Sequence, residues 1–181
     1  MRQRTDGRHA HRLNALALAG LLGLTFAFGG CTTIFGNHEK RAQAQLRPTA
    51  GNGARGTVTF VERADGVQVT YNLVGLPPNS DHALQVHERG DCNAVDGSSA
   101  GAVFAPTAAR LKSGVRVEGD LGNLHADETG VATGFIVAPD LSLDGVRSVL
   151  GRSVLVHRDT SDPAFAEHGA GPALACGQIR Q

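Results

Sequence analysis

The chain has 181 residues, with 17 basic against 17 acidic side chains and a formal net charge of +0. That length suits one domain with a real core rather than two, and the charge balance excludes a nucleic-acid binder driven by bulk charge. With 24 Gly, 4% aromatic residues and no Trp, the composition favours a turn-rich β protein over a helical bundle.

Arg2, Arg4, Arg8 and Arg12 make a basic start. Leu13 to Phe28 follows as an apolar run of about 16 residues, short for a membrane span and right for the apolar stretch of a signal peptide. It ends in Phe28-Gly29-Gly30-Cys31. Small residues directly before a Cys resemble the bacterial lipobox, in which the Cys is lipidated and becomes the new N-terminus. Residues 1–30 are therefore expected to be a lipoprotein signal peptide, Cys31 the lipidated residue and 31–39 a polar tether. Thr32 rather than Asp after the Cys points to the outer membrane. Removing four Arg and one Asp leaves 13 basic and 16 acidic residues, a net of −3. The expected setting is the periplasm or cell envelope, where disulfides persist. Cys92 and Cys176 then remain, and an even pair there most simply forms one bridge. The expected partner is the membrane, through the anchor; no protein partner is legible.

From Lys40 the pattern alternates. Ala42, Ala44 and Leu46 face one way, and Gln43 and Gln45 the other. Val58 and Phe60 alternate with Thr57 and Thr59. Ala64-Asp65-Gly66 reads as a hairpin turn, after which Val67, Val69, Tyr71 and Leu73 alternate with Gln68, Thr70 and Asn72. Gly75-Leu76-Pro77-Pro78-Asn79 breaks the chain. Ala83 to His87, Val131 to Val137 and Ser153 to His157 supply further strands. Long loops are expected at Glu88–Gly119 and Arg158–Ala175. The architecture is an antiparallel sandwich or barrel over residues 40–181, with two long loops on one side.

Seven segments occur in an order that resembles bacterial Cu/Zn superoxide dismutase. They are Val74-Gly75-Leu76, His82 to Glu88, Gly90-Asp91-Cys92, Ser99-Ala100-Gly101, Gly119 to Asn123, Gly151 to His157, and Leu174-Ala175-Cys176-Gly177. The resemblance implies a Greek-key barrel of eight antiparallel strands. It also implies a Cys92–Cys176 bridge from the first long loop to the last strand, and His82 as a framework residue rather than a ligand.

Copper in that family is held by four His: two in a His-Val-His pair, one that bridges to zinc in a His-Phe-Asn-Pro stretch, and one that ends a Val-Val-His strand. Here the pair reads Gln85-Val86-His87, the bridging position is Val103, and His157 is kept. His87 and His157 are the candidate copper ligands, with Gln85 a weak third donor. Gln85 and His87, two apart on a strand, leave the same face. Copper(II) prefers several nitrogen ligands, and an amide carbonyl replaces imidazole poorly. The only Met is the initiator, so no thioether remains for copper(I). For zinc only Asp120 survives, and one carboxylate does not make a site closed by four protein ligands. Asp120 is instead expected to cap a Gly-rich turn over Gly119–Asn123. The family's substrate-guiding Arg is matched by Ala173. His125 and His168 are expected at the surface, though either could complete a copper site if its loop folds inward. His38 falls in the tether.

The expectation is an envelope lipoprotein with an incomplete copper site, no zinc site and weak or no dismutase activity. The rival readings are an atypical copper-only dismutase acting on superoxide and a copper-sequestering protein.

Overall fold

A computed structural model describes residues 39–107, 114–162 and 169–181. The expected signal peptide, the expected tether from Cys31 to His38, and His168 lie outside these residues. Eight strands run in chain order: β1 Arg41–Pro48, β2 Arg55–Arg63, β3 Gly66–Val74, β4 Ser80–His87, β5 Asp120–Ala126, β6 Ala132–Ala138, β7 Ser153–His157 and β8 Ala173–Arg180. All neighbours are antiparallel, in the order β5-β4-β7-β8-β1-β2-β3-β6, and the end strands β5 and β6 come together so that the barrel is nearly closed. The order is a Greek key, because β4 pairs with β7 rather than β3 and β8 returns to β1.

Period-2 patterning explains which side chains fill the barrel. On β1 the buried Ala42, Ala44 and Leu46 alternate with exposed Arg41, Gln43 and Gln45. They pack with Val58, Phe60, Val67, Val69, Leu84 and Val86 in one core. The β2–β3 turn is the two-residue Ala64-Asp65 link, with Arg63 opposite Gly66. Gly66 has φ +127°, and a Cβ there would lie 2.5 Å from the Ala138 carbonyl oxygen, so no other residue fits without a shift.

Three strands do not alternate, β8 among them, buried from Ala173 to Gly177. β4 is buried from His82 to His87, and all of β7 is buried. Their inner face belongs to the core, and the long loops cover the outer one. Beneath the first loop, Ala100, Leu155, Ala173 and Cys176 form a second small apolar cluster with Cys92 against it. The Cys92–Cys176 disulfide ties that loop to β8 across 84 residues of chain.

One expectation is corrected. Of the segment Gly119–Asn123 only Gly119 lies in a turn, and Asp120 does accept the Gly122 N–H as expected, but Asp120–Ala126 is strand β5, paired with β4 from Ser80↔Ala126 to Gln85↔Asp120. The glycines that suggested a turn answer to close approach instead. A Cβ on Gly119 would lie 2.6 Å from the carbonyl oxygens of Phe104 and Val86, and one on Gly122 would lie 2.5 Å from the Arg116 guanidinium. The second loop is also shorter than expected, because β8 already begins at Ala173.

Candidate metal centre

His87 ends β4 and His157 ends β7, two strands that pair directly. Both side chains leave the face opposite Leu84, Val86, Val154 and Val156, which belong to the core. They meet under the loops with their Nε2 atoms 3.1 Å apart and their rings stacked at 25°.

Each ring is oriented from behind by a glycine carbonyl on a different loop. His87 Nδ1 lies 2.8 Å from Gly101 O, and His157 Nδ1 lies 2.9 Å from Gly171 O. A carbonyl only accepts, so both Nδ1 atoms carry the proton. Gly101 (φ +78°) and Gly171 (φ +70°) adopt backbone conformations that L side chains rarely reach, and this turns their carbonyls inward. A Cβ on Gly171 would also lie 2.1 Å from Asp159 Oδ2.

Burial pushes the His87 imidazole down to about 4 and lowers His157 as well, against the opposing pull of the two carbonyls. Both rings are therefore neutral at pH 7, with the Nε2 lone pairs facing each other. Two lone pairs at 3.1 Å repel unless something positive stands between them, a proton or a metal ion. Neutral imidazole nitrogens oriented through Nδ1 are the form in which His binds metal.

The pKa shift sets a pH dependence for the metal-free protein. The unfolded chain's imidazole titrates near 6.5, and the buried His87 near 4. Acid therefore protonates the unfolded state first. Stability should be full above about pH 6.5 and fall by roughly 3 kcal/mol as the pH drops through 4. Urea unfolding midpoints from pH 7 to 4 measure it, and His87→Gln should flatten the slope.

Gln85 is buried and shares the outer face of β4 with His87. Val103 stands opposite His87 in an isolated antiparallel bridge, flanked by the bonds Glu88 N–H to Ala102 O (2.9 Å) and Phe104 N–H to Val86 O (2.8 Å). Asp120, on β5, is buried opposite Gln85, and both of its oxygens are taken by protein donors. Its Oδ1 accepts the Gly122 N–H at 3.1 Å, and its Oδ2 accepts the Ser161 hydroxyl. Among the described residues no group of three or more His, Cys, Asp or Glu converges.

His82 is fully buried and braces the second loop. Its Nδ1 lies 3.0 Å from the carbonyls of both His157 and Arg158, and its Nε2 lies 2.7 Å from Ser80 Oγ. His125 pairs with Asp81 at 2.8 Å on the exposed surface, directly across β5 and β4. Six strand positions, about 20 Å, separate Asp81 from His87. Ala173 is packed with Ala100 and Leu155 in the cluster under the first loop.

Sequence reasoning did not single out the Gly101 and Gly171 carbonyls, Ser161, Asn123 or Arg152. The Arg152 guanidinium stacks 3.5 Å from the Phe104 ring centre and donates to Glu88 O at 2.9 Å, fastening the first loop. A glycine near each loop's return to the barrel was the only available signal for the carbonyls.

The fold and the site together define a class: a Greek-key barrel whose chemistry sits outside its wall, on imidazoles covered by two long loops. The family model described as copper/zinc superoxide dismutase (SODC) matches residues 54–179. The chain is 37% identical over 150 residues to the superoxide dismutase [Cu-Zn] of Candida glabrata, covering 77% of this chain and 96% of that one. It is 38% identical over 136 residues to the protein of the same name from Yarrowia lipolytica, covering 68% and 88%. A third, from Paramecium bursaria Chlorella virus 1, is 39% identical over 112 residues, covering 60% and 59%. The chain belongs to the copper/zinc superoxide dismutase family.

Proposed function

We propose that this protein is a lipid-anchored envelope member of the family, of bacterial type, with an incomplete copper site, no zinc site and weak or no dismutase activity. The observation that carries the reading is the donor set: two imidazole Nε2 atoms converge, while an amide and a valine hold the flanking positions. His87 and His157 would hold copper, which when bound supplies one-electron exchange with superoxide. The chain's own part is to keep both rings neutral and oriented through Gly101 and Gly171. Ala173 leaves the family's anion-guiding position without charge, which removes one source of fast superoxide capture.

The protein expressed in copper- and zinc-replete medium should purify with well under one copper per chain and essentially no zinc. Its superoxide turnover should lie orders of magnitude below diffusion control. The facing lone pairs favour a second reading, a copper-only dismutase. Stoichiometric copper that survives dialysis and turns over superoxide fast would establish that reading and overturn the first. Stoichiometric copper without turnover would establish a copper-holding protein.

The anchor rests on Phe28-Gly29-Gly30-Cys31 after the apolar run. Cys31→Ser should leave an uncleaved or soluble product, read by fractionation and mass spectrometry of the N-terminus. Normal processing with unchanged membrane association would rule lipidation out.

A further inference from the structure

The resemblance makes the Asp120 position a zinc ligand. The residues of this chain do not fit zinc. Both Asp120 oxygens are engaged by protein donors, and from Phe104 to Gly119 the sequence contains no His or Cys and a single acid, Glu118. The loop that follows His157 is held to β4 and β5 by hydrogen bonds instead.

The second loop carries Ser161 against β5, and every polar group of that serine is met. Its hydroxyl donates to Asp120 Oδ2. Its N–H donates to Asn123 Oδ1 at 2.8 Å, and its carbonyl accepts from Asn123 Nδ2 at 3.1 Å. The Asn123 amide thus reads the serine backbone as a paired strand would. Asp120 is fixed in turn by the Gly122 N–H, so the acceptor is oriented before the loop arrives. Closer to the ring, Asp159 O accepts from the Ala83 N–H at 3.0 Å, and the carbonyls of His157 and Arg158 face His82 Nδ1. The stretch from His157 to Ser161 is thereby fastened along β4 and β5 by hydrogen bonds alone.

We infer that Asp120 and Asn123 hold Ser161 in a metal-free latch that fastens the loop carrying His157 and so positions its ring. The inference rests on the zinc-free reading above. Ser161 and Asn123 are positioning residues: they act on copper only through the loop that carries His157.

Hydrogen exchange of the full chain, stripped of metal, tests the latch. Wild-type protection at residues 157–162 should be unchanged by equimolar zinc. Ser161→Ala and Asn123→Ala should each raise exchange there about five- to tenfold, the effect of losing one or two net hydrogen bonds. β1 to β3 should exchange as before. Ser161→Thr, which keeps the hydroxyl, should restore protection. Copper(II) affinity should fall in the two alanine variants by about tenfold, in the range of supporting contacts to metal ligands. Zinc that slows wild-type exchange at 157–162 would overturn both the latch and the zinc-free reading. Zinc-insensitive wild type with unaltered exchange in both variants would overturn the latch alone, as would exchange that rises throughout the barrel.

Discussion

A Gln85→His, Val103→His double variant should bind copper(II) on the order of a hundredfold or more tightly than the wild type, and superoxide turnover should rise with it. Supporting contacts alone change metal affinity about 10–100-fold, and this change adds two direct nitrogen donors. The backbone is already placed for it. Position 85 shares a strand face with His87, and position 103 stands opposite His87 in a β-bridge. Gln85 is buried and Val103 half-buried, so both substitutions turn inward under the loops. Competition titration against a chelator of known affinity measures the gain, and each single variant should give part of it. A double variant no tighter than the wild type would show that the site is limited by something other than its donors. Turnover should rise less than affinity, because Ala173 still leaves the approach to the metal uncharged.

Removing the disulfide should cost about 4–5 kcal/mol of stability, from the entropy released to an unfolded chain no longer closed over 84 residues. Cys92→Ser with Cys176→Ser, compared with wild type by urea unfolding, measures it. A second effect should accompany the first. The bridge pins the loop on which Gly101 orients His87, and Arg89 N–H to Ala100 O (2.9 Å) transmits the hold. The variant should therefore also bind copper more weakly while the β1–β3 hairpins stay intact. A loss below about 1 kcal/mol would mean that the unfolded chain is hardly constrained by the bridge.

How far the sequence reached depended on whether the deciding interactions were local. Strict alternation along Arg41–Pro48 and through the hairpin at Ala64-Asp65 fixes the strands and the inward face, because one residue's displacement would expose every apolar side chain. Ser153–His157 was legible to the residue. β5 was legible only from about Asn123, because Gly119, Gly122 and Asn123 carry turn chemistry, and only the approach of Phe104, Val86 and Arg116 shows what the glycines are for. The site divides in the same way. That Gln85 and His87 share a face follows from a strand's period. The 3.1 Å meeting of His87 and His157 depends on carbonyls 14 residues away from each ring, on two loops with no periodicity to read. The partner of Asp120 lay 41 residues further on, in a loop serine that nothing marked.

The sheet wall has a consequence for how such a protein can change. Leu84 and Val86 face the core, while Gln85 and His87 face the loops from the same strand. The barrel's packing thus lies on one side of β4 and the candidate site on the other. A substitution at 85 or 103 therefore changes the donors of the candidate site and leaves the apolar interior untouched. The barrel is in that sense a carrier indifferent to which donors its outer face presents.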